Sequence, residues 1–362
     1  MSRAPPVTSD SPPYRTGPSR LLRRGILRLI RAADRVVGAW MRRNKRTCAR
    51  PVSAELSRRS LWGHVPRPSA PHPEGPPLLA LSFDLDYQED TDALPALLRL
   101  AERVDAEMTL FSIGKLVDGD PGPYREVVAA GHEIGNHTWS HPDNPVLNPD
   151  QEFWDLSVEA MTKEIRRAQD IFDRELGVRP TGFRTPHFKD APRMVEALGA
   201  VPEINYMSTA LGSKTPLAVP YFPTERRFAG DQSLHYSSVD ETENRDELMI
   251  PLTPCPEHRW TPFCSYHGIR QLADPDTGAG MHGLAEWEDL WATMLDQCRP
   301  NGFASVYFDP MDVMRDDETT AAFERMLTTA RNGGWRLTTC AEVADHWRSF
   351  LKGATEEKTV TA

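Results

Sequence analysis

The sequence has no run of eighteen or more apolar residues, so nothing in it reads as a membrane-spanning helix. Cysteine is scarce: Cys48, Cys255, Cys264, Cys298 and Cys340 are an odd set with no CxxC pair. That excludes an extracellular disulfide framework and points to free thiols in a reducing compartment, with at most one bridge, Cys255 to Cys264. No internal repeat is visible. A secretory signal is a poor fit, because Arg interrupts the N-terminal apolar residues every few positions and no small-residue cleavage site follows.

Charge is distributed unevenly. Residues 1–72 carry 16 Arg and Lys against 3 Asp and Glu, leaving 26 against 49 for the remainder. The split predicts a basic arm on an acidic globular body. Residues 1–20 are rich in Pro, Ser and Arg and are expected to be disordered. In residues 21–43 Leu22, Ile26, Leu29, Ile30, Ala33, Val37 and Trp40 recur at helical spacing, with Arg on the other faces. This is a basic amphipathic helix suited either to an anionic membrane surface or to docking on the body. A proline-rich linker ends at residue 77. The acidic body argues against nucleic acid as a partner. The expected location is cytoplasmic, peripheral at a membrane if the arm binds lipid.

From Leu78 to residue 352 short apolar runs alternate with amphipathic stretches: "LLALSFD", "EMTLFSIG", "HEIGNHT", "TGFRT", "EINYMS", "ELMIPLT", "GFASVYFD" and "WRLTT" read as strands, with helical periodicity between most of them. Such alternation predicts an α/β fold, a distorted β/α barrel of about seven parallel strands carrying a basic N-terminal extension. Residues 212–247 break the rhythm and read as an inserted loop whose aromatics either stack sugar rings or pack on the body. The tail 353–362 is expected to be disordered.

Ionisable residues gather at the predicted carboxyl ends of strands, where a β/α barrel keeps its working groups. Asp84 and Asp86 end the first run, His137 and His141 follow the third, Arg184 ends the fourth, and Asp309 ends "ASVYFD". Alone, two His four apart are usually a packing pair, and an Asp at a strand end is often a cap. Together they offer two imidazoles and a carboxylate with an open position, suited to Zn²⁺ or a similar divalent ion, and a second carboxylate to serve as base.

The motifs "SFDLD", "HTWSH" and "FRTPHF", in this order over residues 78–352, resemble the polysaccharide deacetylase family of carbohydrate esterases. The resemblance implies a metal-dependent hydrolase that cleaves a C–N amide bond, removing acetyl from an N-acetylated sugar. By that resemblance Asp84 is the base. Asp86, His137 and His141 are the metal ligands, with zinc, cobalt, nickel or manganese as the ion. Arg184 orients the base, and the backbone N–H of His187 is the oxyanion donor. Pro186, Tyr206 and His267 are expected to contact the carbohydrate.

Three departures stand out. Leu85 separates the two Asp that are adjacent in the family motif. Asp309 occupies the position of the family's late His, so the acid is either Asp309 or a loop histidine, His267, His187 or His235. The insertion 212–247 reshapes the rim. Two alternatives stay open: a non-haem iron oxygenase, which shares the two-His, one-carboxylate set, and a non-catalytic sugar-binding relative that has lost the acid.

Overall fold

The computed structural model describes residues 72–188, 192–209, 219–220, 247–256, 262–265, 268–269 and 283–360. The basic arm with its helix at 21–43, nearly all of the insertion 212–247, and Cys48, His235 and His267 lie outside the described residues.

Eight parallel strands form one curled sheet, ordered β6-β5-β4-β3-β2-β1-β7 with β8 added to β1. They are β1 (Leu78–Leu85), β2 (Thr109–Ser112), β3 (Glu133–Asn136), β4 (Gly182–Arg184), β5 (Tyr206–Thr209), β6 (Leu248–Pro251), β7 (Phe303–Phe308) and β8 (Arg336–Thr338). β1 is the hub. One edge carries β7 along Leu78–Phe83; the other carries β8 at Leu78–Ala80 and β2 at Ser82–Leu85. Closure between β6 and β7 is irregular. The Thr253 N–H donates to Ser305 O at 2.7 Å, the Ser305 N–H to Thr253 Oγ1 at 2.9 Å, and an isolated parallel bridge pairs Cys264 with Tyr307. This is the distortion of the barrel.

All eight residues of β1 are buried, as expected for a parallel strand covered on both faces. Alternation still sorts them. Leu79, Leu81 and Phe83 join the outer core under the helices, while Leu78 and Ala80 pack inward with Tyr206, Leu248, Phe303 and Trp347. Trp347 belongs to the last helix (Cys340–Val360), which plugs the amino-terminal mouth of the barrel. Only the carboxyl mouth is left for a site. The helix runs on to Val360, correcting the expectation of a disordered tail from 353.

Periodicity alone misplaces the start of one helix. The stretch from Gln151 predicts a continuous helix, but it holds a 3₁₀ turn (Phe153–Asp155) before a helix at Val158–Leu176. Ser157 is the reason: its Oγ accepts the Ala160 N–H at 3.3 Å, a helix-starting cap, and Gly177 in the left-handed region stops the far end. Cys255, Cys264, Cys298 and Cys340 are buried thiols, so the 255–264 bridge is not formed.

Candidate metal centre and active site

The sequence places Asp84 on the inward side of β1, in step with Ser82, while Leu85 between the two acids turns into the outer core. Asp86 follows the strand. Its Oδ1 lies 3.3 Å from His137 Nε2 and 3.7 Å from His141 Nε2. One ligand atom from each of the three side chains falls within 4.8 Å of the others, the metal-competent group among the described residues.

The protons show what this group lacks. Nδ1 of His137 donates to the carbonyl of Arg184 at 2.8 Å, which leaves the Nε2 lone pair facing Asp86. Asp86 Oδ1 is buried and accepts no hydrogen bond. Two imidazole Nε2 atoms and a buried carboxylate oxygen therefore converge, an arrangement that a divalent cation satisfies. Burial alone would raise the Asp86 carboxyl, but the neighbouring imidazoles hold it well below the usual carboxylate range. Burial takes His141 down to about 4, which keeps its ring neutral and available as a ligand. His137 is also opposed by burial, yet Asp86 and Asp84 beside it leave it above the ordinary value.

Asp84 faces Arg184 in a buried ion pair. The guanidinium is fixed on every side. Nη2 donates to Ser82 Oγ at 2.6 Å and Ser208 Oγ at 2.7 Å, and its carbon lies 4.0 Å from the centre of the Phe111 ring. Burial pushes the Asp84 carboxyl up, and Arg184 opposes this. The pair can accept a proton without shifting position.

The "HTWSH" turn is braced from below. Thr138 and Trp139 carbonyls accept the N–H groups of Gly114 and Lys115, and Glu164 accepts both the N–H and the hydroxyl of Ser140 at 2.9 Å. Thr138 and His141 have φ of 68° and 47°. Asp143, His187 and Phe188 are left-handed as well, so five of the six non-glycine residues with positive φ among the described residues lie in the two loops at this mouth. Such backbone strain is typical of sites that a rigid scaffold over-determines.

His187 is half exposed. Its ring packs edge-on against His141 at 4.9 Å, and its Nε2 lies 3.5 Å from Asp143 Oδ2. Asp309 follows β7 next to Asp84, because Phe83 pairs with Phe308; it is buried, and its N–H donates to Ser265 Oγ at 2.8 Å. Two expected carbohydrate contacts are corrected. Tyr206 is fully buried and donates its hydroxyl to Glu133 at 2.6 Å, deep in the barrel interior. Pro186 is buried and shapes the turn after Arg184. His267 lies outside the described residues.

Several side chains that support the site carry no sequence motif: Ser82, Ser208, Asp90, Asn144 and Glu164. Asp90 accepts the N–H groups of Asp86, Tyr87 and Met311, tying the Asp86 corner to the Asp309 corner. Burial, with the charge of Asp86, pushes Asp90 up to about 8 despite those donors. Ser82 was the readable one, since it sits two before Asp84 on the same strand face.

The family profile described as polysaccharide deacetylase matches residues 72–201. The peptidoglycan-N-acetylglucosamine deacetylase PgdA of Listeria monocytogenes is 24% identical over 148 residues, 41% of this chain and 29% of that protein. The peptidoglycan-N-acetylmuramic acid deacetylase PdaC of Bacillus subtilis is 32% identical over 110 residues, 30% of this chain and 21% of that protein. The chain thus matches less than a third of the length of these relatives. A Mycobacterium smegmatis structure described as a polysaccharide deacetylase superposes with a TM-score of 0.58 at 18% identity, covering 77% of this chain and 93% of the other. The PuuE allantoinase superposes at 0.57 and 16% identity, covering 80% and 95%. These two likenesses show the fold alone. The matched segment, residues 72–201, is similar to the polysaccharide deacetylase family and opens the barrel that the later described strands complete.

Proposed function

We propose that the chain is a metal-dependent amide hydrolase that removes acetyl from an N-acetylated sugar in peptidoglycan or a related polysaccharide. The observation that carries this reading is the meeting of three candidate ligand atoms, on Asp86, His137 and His141, beside the carboxylate that Arg184 holds. The names of the relatives supply the substrate class, sugars acylated on nitrogen. A divalent cation held by Asp86, His137 and His141, zinc in first place with cobalt, nickel or manganese also compatible, would supply Lewis acidity toward the amide carbonyl and would acidify the attacking water. Asp84 takes the proton of that water, and Arg184 keeps its carboxylate aimed. The His187 N–H donates to the oxygen on which negative charge develops. Asp309, buried beside Asp84, returns a proton to the leaving amine. The same donor set serves iron oxygenases, but the all-parallel β/α barrel speaks against that class.

A second reading has a specific observation behind it: a carboxyl at 309 stands where the family motif has an imidazole. It makes the chain a metal- and sugar-binding relative without turnover. Acetate release from N-acetylated peptidoglycan fragments and chito-oligosaccharides by the zinc-loaded chain separates the two. Hydrolysis predicts release that a chelator abolishes. A folded, zinc-loaded chain that binds the oligosaccharides yet frees no acetate supports the second reading.

A further inference from the structure

We infer that Asn144 is a positioning residue of the metal centre, holding the main chain of Asp86 at a fixed distance from that of His141. The inference rests on the metal reading above. β1 ends at Leu85, so the peptide units of Asp86 lie beyond the sheet. Two side chains hold them instead. Asp90 Oδ2 accepts the Asp86 N–H at 3.0 Å, and Asn144 Nδ2 donates to the Asp86 carbonyl at 2.8 Å across 58 residues of sequence. The main-chain N–H of Asn144 meanwhile donates to the His141 carbonyl at 2.8 Å. One buried residue thereby joins the corner that bears the carboxylate to the turn that bears the second imidazole.

Its remaining bonds make the join rigid. Asn144 Oδ1 accepts the N–H groups of Val146 and Leu147, both at 2.9 Å, which fixes the amide plane and decides that the NH₂ points at Asp86. A carboxylate ligand moves with its own peptide unit, so this amide sets where Asp86 Oδ1 stands relative to the two Nε2 atoms. Groups that orient a ligand in this way change metal affinity by about 10- to 100-fold when removed.

The test uses the full chain, stripped of metal and titrated with zinc by calorimetry, and the absorption spectrum of the cobalt-loaded protein. Asn144→Asp keeps both acceptor bonds of the turn but cannot donate to Asp86. Asn144→Ser keeps a short turn acceptor and cannot reach it. Both are expected to bind zinc about 10- to 100-fold more weakly than wild type and to alter the cobalt bands, whatever the fall in the metal-free melting temperature. If Asn144→Asp does not fold, Asn144→Ser decides. Unchanged zinc affinity in a folded variant overturns the inference, as does a fall in metal-free melting temperature with wild-type affinity. Wild-type protein that takes up no zinc at all overturns the metal reading itself and is thereby distinguishable.

Discussion

Arg184 and Asp84 meet inside the barrel mouth with side-chain exposures of 0% and 6%, and Asp84 is the carboxylate partner of that guanidinium. Removing one member of such a pair strands the other charge in a dry site. Arg184→Met is expected to lower the unfolding free energy by about 3–5 kcal/mol. Denaturant titration checks it; a loss under half of that shows that water reaches the pair.

Asp84→Asn leaves Arg184 a hydrogen-bonding partner and keeps the three ligands. The variant is expected to bind zinc as wild type does and to release acetate about 10²- to 10⁴-fold more slowly. Steady-state rates beside a zinc titration decide this. Wild-type turnover assigns the base elsewhere.

Gly114 lies under the "HTWSH" turn, its N–H donating to the Thr138 carbonyl. A Cβ there would stand 2.8 Å from Cε3 of Trp139 and 3.2 Å from the Cα of Ala168, which is backbone and cannot move aside cheaply. Gly114→Ala is expected to destabilise by about 1–3 kcal/mol and to weaken zinc binding, because the displaced Trp139 lies between the two His. Thermal melts with and without zinc measure both effects.

The barrel floor titrates separately from its mouth. Burial pushes the Glu133 carboxyl up, although Thr109, Tyr206 and the Ala341 N–H all donate to it. The folded state therefore holds a proton that the unfolded chain has released, and stability falls as pH rises above the ordinary glutamate range of about 4.3. Glu133→Gln is expected to fall less steeply over the same window in urea midpoints. Parallel slopes for the two proteins contradict the assignment.

Trp347 plugs that floor. Trp347→Ala is expected to lose about 3–5 kcal/mol of stability while leaving zinc affinity at the wild-type value, since its neighbours Phe303 and Phe350 stand away from the ligands.

What was legible in the sequence follows from distance along the chain. Arg184 ends a strand, Asp84, Asp86 and His137 lie next to strand ends, and His141 follows in the turn after β3; a parallel barrel sends every strand's carboxyl end to one rim, so their convergence is readable from order alone. Tyr206 was misassigned because a strand pattern does not reveal which mouth an inward side chain serves; its partner Glu133 stands 73 residues away. Asn144 and Asp90 were invisible for a related reason. Each acts on main-chain atoms of Asp86, and a backbone acceptor leaves no residue-type signature. The helix begun too early at residue 151 shows the limit of periodicity: Phe153 is buried as an amphipathic helix would bury it, yet in a 3₁₀ turn.

The most direct test is X-ray absorption at the zinc edge on the full chain loaded with one equivalent of zinc, wild type beside Asp86→Ala. Two imidazoles and one carboxylate oxygen in the wild-type shell, with the oxygen lost or replaced by water and the affinity reduced in the variant, are predicted. A wild-type shell without imidazole scattering, or one that Asp86→Ala leaves unchanged in composition and affinity, would contradict the proposed centre.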